Sequence, residues 1–299
     1  MSILNDMGNT PLVKLKNPFG DNYAQVYLKM EEFNPGGSIK SRVALQMIED
    51  AEIAGILNPG ATLIEPTGGN TGIGLAVACS LKGYQLVLTI PDNFSAEKIE
   101  VSKKYGAKVT LADHRIGNDC HIKKARELLK DNPDWICLNQ FENPSNPKAH
   151  YLYTANEIIE QLNTPIDCFV SVIGSGGTIT GISKRLKEYN PEIKIIGVEP
   201  KGCNILNNIY IPHKIQATAV GKVGNFFDKS MINEMVSVDF EEVQKIRNYL
   251  SFNQGIFVGI SSGANVLAAF NESKKWDSSK TIVTIAPDSG RSYLELFNQ

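Results

Sequence analysis

An α/β fold built on parallel sheets is expected of this chain, on three features of its sequence. Short apolar runs alternate with longer helix-period stretches along the whole length. Several of those runs are continuously apolar, the pattern of strands buried on both faces. Glycine-rich turns follow strands and open helices, the place where open α/β sheets bind ligands.

Taken in order, the strand-like runs are Val26–Met30, Thr62–Glu65, Gln85–Ile90, Lys108–Leu111, Phe169–Ile173, Lys194–Val198 and Thr281–Ala286. Between them lie helical stretches, among them Ile73–Leu81, Ala96–Tyr105, Cys120–Leu129, Ile179–Tyr189 and Glu241–Asn253. Strand-helix-strand alternation implies crossovers between parallel neighbours. Asn143-Pro144-Ser145-Asn146-Pro147 is the best boundary candidate, since prolines interrupt regular structure there. No internal repeat or low-complexity segment is present.

The 299 residues make one large domain or two ordinary ones. Hydrophobic residues at 42% and charged residues at 21% exclude a disordered chain. The net charge is −2, without a Lys/Arg block, so there is no electrostatic footprint for nucleic acid. Apolar stretches fall far short of the ~20 residues of a membrane span. Met1–Asp6 has no signal-peptide pattern. Cys79, Cys120, Cys137, Cys168 and Cys203 are odd in number and form no Cys-x-x-Cys pair, which reads as reduced thiols in a cytoplasmic protein.

Four motifs bear on chemistry. Gly174-Ser175-Gly176-Gly177-Thr178 ends a strand and opens a helix, so its backbone N–H groups and the helix dipole could cradle a phosphate. A dinucleotide site, with Glu199 as the ribose acid, and a plain tight turn remain open for that loop. Gly259-Ile260-Ser261-Ser262-Gly263 matches a hydrolase nucleophile pattern, but all four histidines precede it, so it reads as a glycine-lined helix start. His114, His121, His150 and His213 show no metal-ligand spacing and read as solvated or structural. In Asn34-Pro35-Gly36-Gly37-Ser38-Ile39-Lys40-Ser41-Arg42, Ser38 can cap a helix and Lys40 falls in its first turn. The helix dipole there disfavours the ammonium and so favours the neutral amine that makes a Schiff base. An ordinary exposed lysine is the rival reading.

Together, Asn34–Arg42, Thr67–Gly72 and Gly174–Thr178 resemble the cysteine synthase and cystathionine β-synthase family of pyridoxal-phosphate enzymes, of the second fold type. Gly8–Leu12, Asn139–Pro144, Gly197–Pro200, Gly259–Gly263 and Pro287–Gly290 follow in family order, so the resemblance spans the chain. It implies two interleaved three-layer parallel-sheet domains of the tryptophan synthase β type, residues 1–34 plus 144–299 and residues 35–143, with the cofactor in the cleft. It implies that Lys40 holds pyridoxal phosphate as a Schiff base and that Gly174, Ser175, Gly176, Gly177 and Thr178 hold its phosphate. Asn70 would bond the ring 3′-oxygen, and Ser289 would face the pyridine nitrogen. Thr67, Gly68, Asn70, Thr71 and Gln140 would surround the carboxylate of an amino-acid substrate. The reaction implied is β-replacement through an aminoacrylate: O-acetylserine plus sulfide giving cysteine and acetate. The rival within the family consumes cysteine and releases hydrogen sulfide, giving serine, lanthionine or cystathionine. A homodimer is expected, and serine acetyltransferase is a conceivable partner. The chain ends about ten residues after Ser289, so no regulatory or haem-binding extension is expected.

The chain departs from the family pattern in three places. Gly68 stands where a serine is usual, which removes a hydroxyl and is expected to open space beside the substrate. Ser41 follows the lysine where an aspartate is usual. Gly221-Lys222-Val223-Gly224-Asn225-Phe226-Phe227-Asp228 replaces a small apolar loop. Asp228 is the first candidate there to act on the β-substituent or on an attacking water, against the plainer reading of a solvated loop.

Overall fold

The structure is a computed structural model and describes residues 3–162 and 164–296. The strands are β1 (Leu12–Lys14), β2 (Gln25–Met30), β3 (Thr62–Glu65), β4 (Gln85–Pro91), β5 (Lys108–Ala112), β6 (Cys168–Val172), β7 (Lys194–Pro200), β8 (Glu234–Val238) and β9 (Thr281–Ala286). The helices are α1 (Lys40–Ile53), α2 (Asn70–Lys82), α3 (Ala96–Lys104), α4 (Cys120–Asp131), α5 (Ser145–Ala149), α6 (Ala155–Gln161), α7 (Gly177–Tyr189), α8 (Phe240–Gln254) and α9 (Ile260–Ser273). A π-helical turn, His150–Thr154, joins α5 to α6. Two compact units result: Met1–Met7 with Asn34–Ser145, and Gly8–Phe33 with Asn146–Gln299. The chain leaves its first 3-10 turn through Gly8 and Asn9, both at positive φ, and Gly8 begins the larger unit.

In the smaller unit, β3, β4 and β5 form a parallel sheet in that order. The central strand β4 is buried along five of its seven residues, which is why Leu86–Ile90 is apolar but for Thr89. Ile64 of β3 and Val87 of β4 form one apolar cluster with Ala125, Leu128 and Leu129 of α4 and with Trp135.

In the larger unit the order is β1-β2-β9-β6-β7-β8, parallel except for the antiparallel pair β1–β2. Both β6 and β9 are inner strands and wholly buried. Each buried Val, Ile or Leu there contributes roughly 1.5–3 kcal/mol over its exposed state. The unit's core joins Leu28, Val170, Val198 and Ile282 to Phe270 of α9. Lys29 is buried in the same unit, 2.7 Å from Glu157 Oε2, and it donates to Gln161 Oε1 at 2.9 Å and to the Thr10 carbonyl at 2.6 Å. That set ties β2 to α6. Among the described residues, no helix is long and apolar enough to cross a membrane.

Candidate active site

Lys40 is the first residue of α1. The Ser38 hydroxyl accepts the Lys40 N–H at 3.3 Å, and the Ser41 hydroxyl donates to the Pro35 carbonyl. The N-cap is nevertheless Ile39, which has no side-chain cap bond, so Ser38 supports the helix start from one residue outside it and is not the cap expected. Ser41, in place of the usual acid, ties the first turn back to the preceding loop. The next helix approaches so closely that a Cβ on Gly74 would lie 2.9 Å from the Lys40 carbonyl oxygen. The opening turns of α1 and α2 are thereby pressed together, with Asn70 at the start of α2. Burial lowers the Lys40 ammonium from its usual 10.5 to about 8.

The loop Thr67–Gly72 leads from β3 into α2. Thr71 Oγ1 donates to Gln140 Oε1 at 2.7 Å, which brings together two of the expected carboxylate-binding residues. Gly68 is backed differently from the expectation. A Cβ there would lie 2.6 Å from Ile90 Cγ2 and 2.8 Å from Phe94 Cδ1. The volume next to Gly68's missing side chain is filled by apolar groups and is not open space. Behind the loop sits Glu65, buried at the end of β3. It accepts the backbone N–H of Asn139 and of Gln140, each at 3.0 Å, and lies 3.6 Å from Cys137 Sγ.

In the larger unit, Gly174–Thr178 runs from β6 into α7, with Gly176 as the helix's left-handed N-cap at φ +87°. Three glycines are backed too closely for a Cβ. Gly174 lies against the Ala217 carbonyl, Gly176 against the Phe227 ring and Gly177 against the Asn146 side chain. Asn146 Nδ2 donates to Ser175 Oγ at 3.2 Å, and Gly224 N–H donates to the Ser175 carbonyl at 2.7 Å. The buried His150, on the π-helical turn, sets its Nε2 3.3 Å from Thr178 Oγ1. This histidine is buried and bonded to Thr154 and Thr178, which brings it to the glycine loop, a part the sequence did not assign to it.

The remaining candidates are placed as follows. Ser289 Oγ donates to the Phe257 carbonyl at 3.4 Å and accepts the Arg291 N–H at 3.4 Å. The Asp288 carboxylate accepts the Tyr293 hydroxyl and backs Gly259. Asp228 caps the 3-10 turn Lys229–Met231, its Oδ1 accepting both Ser230 N–H (2.9 Å) and Ser230 Oγ (2.6 Å). Those bonds hold its carboxyl below the usual range. Glu199, the ribose-acid candidate, instead accepts the Ile205 N–H at 2.7 Å, and burial raises its pKa. Asp92, Asp113 and His114 gather into a solvent-facing cluster, in which Asp113 is also paired with Arg115. Sequence reasoning assigned no part to Glu65, Asn146, Phe94 or Phe227. Ser261, which the sequence offers only as a rejected hydrolase nucleophile, and Ser262 place buried hydroxyls in the first turn of α9.

Within each unit taken by itself, the residues fit a part of pyridoxal phosphate. A phosphate needs a helix N-terminus with glycine-bared N–H groups and no acid in the first turn, and α7 has both. An aldehyde needs an amine with a depressed pKa, and Lys40 is one. A polar ring needs buried donors, and Ser261 Oγ is buried without a hydrogen-bond partner among the described residues.

The family model for pyridoxal-phosphate dependent enzymes matches residues 3–288. The chain is 41% identical to the cysteine synthase of Staphylococcus aureus over 290 residues, covering 96% of this chain and 93% of that one. A hydrogen sulfide-producing enzyme from Fusobacterium nucleatum superposes with a TM-score of 0.93 at 40% identity, over 98% of this chain and 97% of that one. An O-ureido-L-serine synthase superposes with a TM-score of 0.95 at 36% identity, over 99% and 95%. With matches across nearly its whole length and both parallel sheets in place, the chain belongs to the pyridoxal-phosphate-dependent enzymes of the second fold type, in the cysteine synthase and cystathionine β-synthase family.

Proposed function

We propose that this chain replaces the β-substituent of an amino acid in the manner of a cysteine synthase, turning O-acetylserine and sulfide into cysteine and acetate. The observation that carries this reading is Lys40, an amine lowered to about 8 at the opening turn of α1. Bound pyridoxal phosphate supplies an electron sink for the bonds at the substrate's Cα. Lys40 Nζ holds the cofactor and, once freed by the incoming substrate amine, takes the Cα proton. Gly174–Thr178 binds the phosphate through backbone N–H groups. Asn70 serves the ring 3′-oxygen, and Ser289 the pyridine nitrogen. Thr67, Gly68, Asn70, Thr71 and Gln140 hold the substrate carboxylate.

A second reading is favoured by Gly68. The usual hydroxyl is missing there, and Ile90 and Phe94 back the position. The substrate loop thus differs from that of a usual cysteine synthase, and a hydrogen sulfide-producing enzyme superposes on 98% of this chain; both support cysteine as the substrate and hydrogen sulfide as the leaving group. Serine, lanthionine or cystathionine is then the second product.

The test is an absorbance spectrum of purified protein, titrated in parallel with O-acetylserine and with cysteine. A visible band that O-acetylserine changes, with acetate released and sulfide consumed, supports the first reading. A band that turns over only with cysteine, with sulfide released, selects the second. Protein that stays colourless after adding pyridoxal phosphate overturns both.

A further inference from the structure

The buried carboxylate of Glu65 is bonded to the turn that carries Gln140, and Gln140 is bonded to Thr71. Glu65 Oε1 accepts the Gln140 N–H at 3.0 Å, and Oε2 accepts the Asn139 N–H at 3.0 Å with Cys137 Sγ 3.6 Å away. Asn139 sits at φ +52°, a left-handed conformation that a non-glycine residue adopts at a cost. A carboxylate that accepts two successive N–H groups favours the conformation that presents both to it, and so helps to hold the left-handed turn. The same turn then sends the Gln140 side chain to Thr71, whose hydroxyl donates to the carboxamide oxygen at 2.7 Å. That bond fixes the Gln140 carboxamide beside Thr71, and these are two of the residues proposed above to hold the substrate carboxylate.

We propose that Glu65 is a positioning residue for the substrate carboxylate, acting through the Asn139–Gln140 turn. The inference rests on the amino-acid-binding role proposed above for Thr71 and Gln140. Glu65 itself touches neither substrate nor cofactor. It sets where the Gln140 amide stands relative to the Thr67–Gly72 loop, which leaves β3 directly after it. Replacing one of its oxygens by an NH2 would set a donor against a donor, and the turn would have to release one N–H.

The test uses the cofactor-loaded enzyme and L-alanine, which carries the amino and carboxylate groups but no leaving group. Binding is read from the change in the cofactor's absorbance. Glu65→Gln is expected to weaken L-alanine binding at least tenfold and to raise KM for the reacting substrate by a similar factor. Its kcat should stay within threefold, and its unliganded spectrum should be unchanged. In a Gln140→Ala background the same substitution should add less than twofold, since the residue it acts through is gone. Should Glu65→Gln not accumulate as folded protein, Glu65→Asp carries the same comparison, because it retracts the acceptors by one methylene. L-alanine affinity within twofold of wild type overturns the inference, as does a full tenfold effect persisting without Gln140. If the wild-type enzyme takes up the cofactor and L-alanine leaves its spectrum unchanged, the amino-acid-binding reading itself fails and the inference falls with it.

Discussion

Phe94 lies where a side chain at position 68 would have to go: a Cβ built on Gly68 comes within 2.8 Å of its ring. Ile90 closes the other side at 2.6 Å. Gly68→Ser, which restores the residue usual at this place in the family, should therefore destabilise the protein. Overpacking of this kind costs roughly 1–3 kcal/mol. Phe94→Ala should relieve the ring's share of that cost and leave the share due to Ile90, since Phe94 is partly exposed and can be trimmed without opening a closed cavity. Thermal unfolding of the two single variants and the double variant measures the coupling. Strict additivity would mean that the ring moves aside freely and does not confine the loop.

Gly176 and Phe227 form the equivalent pair in the larger unit. Gly176 has φ +87°, and a Cβ on it would be 2.8 Å from Phe227 Cδ2. Gly176→Ala meets two penalties: about 1–2 kcal/mol for the left-handed backbone and the clash with the ring. The loop would have to move, and its N–H groups with it. Affinity for pyridoxal phosphate, titrated by absorbance into cofactor-free protein, should fall at least tenfold. Adding Phe227→Ala should recover part of the loss but not the share owed to backbone strain. Full recovery would show that the positive φ costs nothing here.

The two pairs show what could be read from the sequence and what could not. Lys40, the two glycine-bearing loops and the inner strands β4, β6 and β9 were legible because each is a local signal, a motif or a mostly apolar run broken only by Ser or Thr. The edge strands β1 and β8 were not, because partly exposed residues at a sheet edge leave no continuous apolar run. Helix α9 was legible only at its glycine-lined start. Nearly all of it is buried, so it has no polar stripe to mark a helical period. Phe94, Phe227 and Glu65 escaped for a further reason. Their importance lies in contacts with residues 26, 51 and 75 positions away, which only the folded chain brings together.

Asp228 separates a structural role from a chemical one. Its Oδ1 caps the turn through Ser230, an arrangement that asparagine preserves and alanine does not. Asp228→Ala should cost about 1 kcal/mol in thermal unfolding, and Asp228→Asn little. The carboxyl, which the Ser230 bonds hold below its usual range, is a proton acceptor that the asparagine lacks. If the enzyme consumes cysteine, Asp228→Asn should lower serine formation at least tenfold while leaving stability alone. Unchanged turnover with every β-substituted substrate would leave Asp228 as a cap and nothing more.

The lowered pKa of Lys40 sets the pH at which the protein can capture its cofactor. Only the deprotonated amine attacks an aldehyde, so capture must speed up as pH rises and level off above the amine's pKa. With that pKa at about 8, roughly one amine in eleven is neutral at pH 7. An unperturbed lysine at 10.5 would offer about one in three thousand. Mixing cofactor-free protein with pyridoxal phosphate at constant ionic strength should therefore give a rate that climbs close to tenfold per pH unit below about 8 and flattens by about pH 9. Lys40→Ala should abolish the absorbance change at every pH, which assigns the titration to this amine. A rate that keeps climbing beyond pH 9.5 would mean that the folded protein leaves Lys40 an ordinary lysine. The neutral amine would then have to come from a rearrangement as the cofactor binds, not from burial already present in the chain.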